Sequence, residues 1–394
     1  MYDVAIVGAR CAGSALALML ARAGAKVLVI DRTTFPSDTM SGHYIQPAGI
    51  SCLRRLGLIE SLAALGYPPQ ETISVDFGRT VVAGRPAPMP DGTAVAYAPR
   101  RHRFDPMLAD AAVAAGAELR EATSFVEPLL RDGRVIGLRT SAGGRTNDVH
   151  ARLVVGADGK RSRVARTVGA ESYETAPART CAYYTYWEGA AVASARLLVR
   201  DGLFAVAVPC GEGRTFLALQ WPRHRFAEVR RDIDAATRTA VAGIPWLAAR
   251  FGAGRPAERY IGTGDLDSFL RTASGPGWAL VGDAGHHKDP ITAQGMTDAL
   301  LDAELLAAAV LAGLGGGRDL DAALRDYVQA RDRRALPMHR VTADLARLVP
   351  PPPAAQEEMA AMAGDPIAAG RFLGVMAGSV APEEIFGPAA ERAA

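Results

Sequence analysis

The apolar run Tyr2-Asp3-Val4-Ala5-Ile6-Val7 is short and rich in β-branched residues, as expected of a strand buried on both faces. It stops at Gly8-Ala9-Arg10-Cys11-Ala12-Gly13. Ser14 to Ala23 then reads as a helix ended by Gly24, and Lys26-Val27-Leu28-Val29-Ile30 as a second strand ending at Asp31-Arg32. The change from apolar strand to turn recurs twice. Arg152-Leu153-Val154-Val155 runs into Gly156-Ala157-Asp158-Gly159, followed by Lys160-Arg161-Ser162-Arg163 and an apolar helix start. Trp278-Ala279-Leu280-Val281 runs into Gly282-Asp283-Ala284-Gly285-His286-His287-Lys288-Asp289-Pro290, then Ile291-Thr292-Ala293-Gln294-Gly295-Met296, and Thr297 to Leu314 reads as a long helix with an apolar face.

Between these blocks the pattern alternates. Ala94 to Tyr97 precedes a basic stretch, Arg100 to Arg103. Thr180 to Trp187, Ala195 to Val199, Leu203 to Val208 and Thr215 to Leu219 are separated by the turn formers Asp201-Gly202 and Gly211-Glu212-Gly213, as in a meander of antiparallel strands. A period of two puts Tyr184 and Tyr186 on one face and Tyr183, Thr185 and Trp187 on the other. Beyond Leu348-Val349, Pro350 to Pro353 interrupts any helix. A helical piece over Ala354 to Ala363 and an Ala/Gly-rich stretch over Ile367 to Val380 follow.

Composition narrows the class. With 394 residues, 49% hydrophobic, 22% charged and a formal net charge of +2, the chain falls within the globular range, and disordered, collagenous and disulfide-scaffold classes are excluded. All but three of the 44 basic residues are arginine, but 42 acidic residues are interspersed with them, so nucleic acid is not expected as a partner. The four cysteines, Cys11, Cys52, Cys181 and Cys210, lack metal or redox spacing. The longest apolar run, Leu305 to Leu314, is too short for a membrane span, and the first residues show no basic or apolar leader region. The expectation is a cytoplasmic protein with no membrane partner.

A strand, glycine turn, helix and second strand ending in an acid is the layout of a dinucleotide-binding unit. Glycine permits the tight turn, the helix N-terminus offers free N–H groups to a pyrophosphate, and the acid accepts from a ribose hydroxyl. The G-x-G-x-x-G pattern would place glycine at position 10, where this chain has Arg10. That side chain either turns outward or adds charge near the phosphates. Asp31 favours a free ribose, as in FAD or NAD, and Arg32 stacks on adenine or is solvated.

The three blocks, in this order and spacing, resemble the FAD-dependent class A flavoprotein monooxygenase superfamily, with its para-hydroxybenzoate-hydroxylase-like fold. The family's third block usually reads Gly-Asp-Ala-Ala-His, then Pro and Gly-Gln-Gly. Here Gly285 replaces the second Ala and Ala293 the first Gly. The resemblance implies an α/β architecture. A Rossmann-like FAD-binding domain (1–72, 98–171 and 270–345) would interleave with an antiparallel β-sheet substrate domain (73–97 and 172–269), followed by a C-terminal helical appendage (346–394). It places the FAD diphosphate on Gly8, Ala9, Arg10, Cys11, Ala12 and Gly13, and the adenosine ribose on Asp31. Arg101 would reach the cofactor, and Asp158 would touch both FAD and NAD(P)H. Gly282 and Asp283 would hold ribityl or diphosphate oxygens, and Pro290, Gln294, Gly295 and Met296 would run along the flavin ring.

The implied activity is that of an oxidoreductase, a monooxygenase. It would use NAD(P)H as co-substrate and O₂ to hydroxylate or epoxidise an aromatic or other electron-rich small molecule through a flavin C4a-hydroperoxide. A flavin reductase is the candidate protein partner. The alternative on the same fold is a double-bond reductase of the geranylgeranyl-reductase type. A halogenase is disfavoured, because no pair of the four tryptophans has the Trp-x-Trp spacing of those relatives. The substrate-side candidates are His43, in a loop that in the family passes near the cofactor, with Tyr184 and Tyr186, although an aromatic strand equally serves plain core packing. The His286-His287-x-Asp289 cluster lacks a third or fourth ligand, so no metal is expected. No catalytic base can be assigned from the sequence.

Overall fold

Val4, Ala5 and Ile6 have no solvent exposure because their strand lies at the centre of a sheet covered on both faces. The computed structural model describes residues 1–387; positions 388–394 of the expected C-terminal segment lie outside the described residues. Tyr2–Val7 pairs in parallel with Val27–Ile30 on one side and with Arg145–Gly156 on the other. The sheet extends through Trp278–Leu280 beyond Arg145–Gly156 and through Glu118–Arg120 beyond Val27–Ile30. Its helices Cys11–Arg22 and Gly295–Leu314 contribute Leu16, Leu20, Leu300 and Leu306 to the same core. The strand ends bearing Gly8, Gly156 and Gly282 therefore open at one edge of one sheet, where parallel α/β sheets bind their ligands.

A second sheet runs in the order Arg255–Pro256, Thr180–Glu188, Thr215–Pro222, Leu203–Pro209, Ala195–Arg200, Ile73–Asp76, Val81–Gly84. Tyr184 sits opposite Ala218 and Tyr186 opposite Phe216. Its inner face, with Tyr184, Tyr186, Leu197, Phe204, Val208 and Phe216, packs with Tyr44, Ile291 and Phe372. Its outer face, with Trp187, Leu198, Leu217 and Trp221, lies under Val229, Val241 and Phe251 of the helices Phe226–Arg231, Ile233–Gly243 and Pro245–Phe251. The alternation thus separates two cores.

The structure differs from the sequence reading in one element and extends it in another. Arg101 to Arg103 opens the helix Arg101–Ala114 rather than joining the alternating stretch, and Ala96 and Tyr97 make only isolated bridges to Gln70 and Ile45. After the proline run the expected helical piece is Pro353–Ala363; the Ala/Gly-rich stretch is helical too, as Pro366–Ala377, and its Phe372 and Leu373 close the inner face of the second sheet.

Candidate functional site

The first turn is held by packing that only glycine allows. Gly8 has φ +107°, and a Cβ there would sit 2.4 Å from the Ala157 carbonyl oxygen. One added to Gly13 would strike the Gly8 carbonyl oxygen at 1.8 Å. Asp31, buried at the end of the second strand, accepts from the Ala9 N–H (2.9 Å), the Thr33 N–H (2.9 Å) and the Thr33 hydroxyl (2.8 Å). Its carboxylate shapes the turn. Arg32 beside it is exposed.

Arg10 does not extend into solvent. Its guanidinium donates to Asp105 (2.7 Å) and to the Ser37 hydroxyl (3.0 Å), and lies 5.7 Å from the centre of the Phe35 ring. Asp105 is fully buried and also accepts from Arg101 Nε at 2.8 Å, so one carboxylate holds two guanidiniums beside the glycine turn. The Cys11 thiol meets the same carboxylate at 3.5 Å, and burial pushes its pKa up to about 12, which keeps it protonated. Burial works against the charge of Arg101, but the carboxylates of Asp105 and Asp283 near it raise its pKa. Asp283 is half-buried and takes no hydrogen bond among the described residues.

Asp158 is engaged otherwise. It accepts from the Ser162 hydroxyl (2.5 Å) and from the N–H groups of Arg163 (2.7 Å) and Val164 (3.2 Å), at the start of the helix Arg163–Thr167. Its visible role is that of a helix cap.

In the third block, Gly282 (φ +61°) packs against Ala12, bringing this turn against the first. Pro290–Thr292 forms a short 3-10 turn, and Ala293, where the family has glycine, is left-handed at φ +49°. The Gln294 side chain turns into the protein, accepting from Lys288 Nζ (2.7 Å) and donating to the Met376 carbonyl (3.2 Å), so only its backbone is available to a ligand. Met296 is buried in the main core.

The sequence reading missed Lys288, which is buried and pairs with Asp298 at 2.8 Å; Arg334 bridges Asp298 and Asp302, at 2.7 Å each. Burial would raise the Asp298 pKa, but Lys288 and Arg334 pull it well below the carboxylate range. Asp289 is fixed by Thr180 (2.5 Å) and Gln220 (2.8 Å) of the second sheet, tying it to the third block.

These surroundings fit FAD. Among the described residues no side chain caps Cys11–Arg22 or Gly295–Leu314. The free N–H groups at the first suit a diphosphate and those at the second an electron-rich ring. A Cβ built on Gly295 meets nothing within 4 Å, so the second opens to free space. Arg101 lies close enough to both turns for Asp105 and Asp283 to raise its pKa.

The structure brings His43, Tyr184 and Tyr186 together beneath the second sheet. His43 Nε2 shares a hydrogen bond of 2.5 Å with the Tyr186 hydroxyl, and its ring centre lies 5.8 Å from Tyr184 and 5.7 Å from Phe216. The Ser41 N–H approaches the Tyr184 hydroxyl at 3.5 Å. Burial pushes the His43 pKa down to about 3, so the imidazole is neutral at pH 7. Burial raises the Tyr186 pKa, partly opposed by Arg100, whose guanidinium carbon lies 4.1 Å from the ring centre. Three residues after His43, the Gln46 side-chain amide donates to the Thr292 carbonyl (3.3 Å), which anchors this loop to the third block.

A family described as FAD binding domain matches residues 1–220, more than half of the chain. The protein belongs to this family, within the class A flavoprotein monooxygenase superfamily, and is an FAD-dependent oxidoreductase. It is 28% identical over 348 residues to a digeranylgeranylglycerophospholipid reductase of Methanosphaerula palustris, covering 83% of this chain and 81% of that one. It is 27% identical over 362 residues to a menaquinone reductase of Mycolicibacterium smegmatis, covering 88% and 85%. A solved flavin-dependent brominase superposes with a TM-score of 0.84 at 20% identity, covering 100% of this chain and 97% of that one, and shares the fold. Among the described residues no helix is long and apolar enough to cross a membrane.

Proposed function

We propose that this protein reduces carbon–carbon double bonds of an isoprenoid-bearing substrate, with electrons from NAD(P)H directly or through a separate flavin reductase. The observation that carries this reading is the similarity, across more than four-fifths of both chains, to a reductase acting on a digeranylgeranyl lipid. The relatives thereby favour double-bond reduction over the oxygen insertion suggested by the motif blocks. Bound and reduced, FAD supplies a hydride equivalent to one alkene carbon. The chain's own residues do the rest. Uncapped helix N-termini and Arg101 would hold the cofactor, and Leu197, Phe204, Val208, Phe216 and Phe372 make the buried inner face of the second sheet apolar. A narrow pocket lined by Tyr44, Gln46, Ile73, Ala96 and Leu373 lies beneath the same sheet.

The test is anaerobic. Protein carrying FAD is reduced and mixed with a geranylgeranyl lipid, and flavin absorbance is followed. Reoxidation that depends on the lipid supports the reading; reduced flavin that ignores every prenyl lipid and reacts only with O₂ refutes it. A second reading, monooxygenation of a phenol or other electron-rich molecule, is favoured by the polar aromatic group His43, Tyr184 and Tyr186, which can address a hydroxyl. Phenol-stimulated O₂ consumption is its signature.

A further inference from the structure

His43 is held at a cost. Its backbone is left-handed at φ +55°, a conformation that disfavours side chains by about 1 kcal/mol. The residue is 1% exposed, and although Nε2 is bonded to Tyr186, Nδ1 is enclosed with no hydrogen-bond partner among the described residues. A buried polar atom without a partner costs free energy, and its retention points to a chemical role. Tyr186 in turn lies under Arg100, which is held by both oxygens of Glu258 (2.6 and 3.1 Å) and reaches Asp38 (3.3 Å). Arg214 joins Glu258 at 3.1 Å. The hydroxyl–imidazole pair is thus buried at one end and backed by a cation with its carboxylates at the other.

Resting on the reductase reading, we propose that His43 is the proton donor to the alkene, with Tyr186 as the group that refills it. In this arrangement Tyr186 O–H donates to Nε2 and the proton of the imidazole sits on Nδ1. Reduction breaks the π bond and forms two C–H bonds, one with the hydride equivalent from the reduced flavin and one with the Nδ1 proton. As the Nδ1–H bond breaks, the Tyr186 O–H bond breaks and an Nε2–H bond forms, so the imidazole stays neutral throughout. The negative charge is left on the Tyr186 oxygen, where Arg100 stabilises the phenolate until the Nε2 proton returns to it and a solvent proton refills Nδ1. Neutral histidine alone is too weak an acid for this step; the shuttle avoids an imidazolate. His43 is the catalytic residue, and Tyr186 acts through it.

Two measurements decide the matter. The ¹⁵N shifts of His43 in the folded protein identify the tautomer: a protonated Nδ1 and a bare Nε2 are expected, whereas a bare Nδ1 overturns the proposal. In single-turnover reoxidation by a geranylgeranyl lipid, Tyr186→Phe and His43→Gln are expected to slow the step by about 100-fold or more, the range of general acid catalysis. The wild-type rate should fall in D₂O, and that isotope effect should change in Tyr186→Phe, which a packing defect alone would not cause. FAD affinity of both variants should stay within about twofold of wild type, consistent with a 100-fold scale set by proton transfer. Variants that reoxidise at the wild-type rate overturn the proposal. If the wild-type enzyme leaves every alkene untouched, the reductase reading itself fails, and the proposed proton donation to an alkene fails with it whatever the tautomer.

Discussion

Arg10 and Asp105, 95 residues apart in sequence, form an ion pair of 2.7 Å at the edge of the glycine turn. The arginine that stands where a dinucleotide motif has glycine is therefore neither solvated nor loose. It is oriented by a buried carboxylate that also holds Arg101. Asp105→Ala takes the shared carboxylate from two guanidiniums, and a loss of about 3 kcal/mol or more is expected in denaturant unfolding of the protein. Arg10→Ala should cost less, because Asp105 keeps Arg101 and Arg10 is partly exposed. FAD titration of Arg10→Ala should show weaker binding; an unchanged affinity rejects a diphosphate contact.

Ala293 stands left-handed where glycine is the natural occupant. Ala293→Gly is expected to hold stability or raise it by up to about 1 kcal/mol, while Ala293→Val lowers it by about 1–2 kcal/mol, because a β-branched side chain tolerates positive φ worst. Thermal unfolding of the three proteins side by side gives the order.

Asp158 caps the helix Arg163–Thr167, so Asp158→Ala should cost about 1 kcal/mol of stability. If capping is its whole role, the FAD dissociation constant stays at the wild-type value once folding is corrected for. A large loss of affinity in a stable variant assigns it to the cofactor.

Acid should destabilise the fold through its buried histidines. Burial lowers the pKa values of His43, His286 and His339 below the usual imidazole value. A histidine kept neutral when folded binds its proton more readily when unfolded. Its contribution is complete above about pH 6.5 and is lost as pH falls below that, at up to about 1.4 kcal/mol per pH unit per group. For His43 the loss continues down to about pH 3. Urea unfolding from pH 7.5 to pH 4.5 should show this slope, and His43→Gln should reduce it without removing it. An identical slope in the variant contradicts the burial of a neutral His43.

Much of this architecture was legible in the chain, and the rest was hidden for identifiable reasons. The β-branched runs at Tyr2–Val7 and Val27–Ile30 mark their strands because a doubly covered sheet demands continuous apolar residues. The helix after the first turn begins at Cys11 rather than Ser14, since its N-terminus carries no capping side chain to announce it. The helix Arg101–Ala114 is masked by its basic opening and by Pro106, residues that argue against a helix locally but are outweighed by Phe104 and Leu108 in the core. Alternation placed Tyr184 and Tyr186 on one face, yet the partner of Tyr186 lies 143 residues earlier, beyond the reach of any local pattern. Lys288 gave no signal at all, because a lysine in a polar turn ordinarily faces water, and only the fold brings Asp298 and Gln294 to meet it.

The central claim is that this flavoprotein adds hydrogen rather than oxygen to its substrate. The most direct measurement is mass spectrometry of the product formed from a geranylgeranyl lipid with NAD(P)H under ¹⁸O₂, with a flavin reductase added in a parallel reaction. The account predicts a product heavier by pairs of hydrogen atoms and free of ¹⁸O. A product carrying ¹⁸O, with the double bonds otherwise intact, would contradict it.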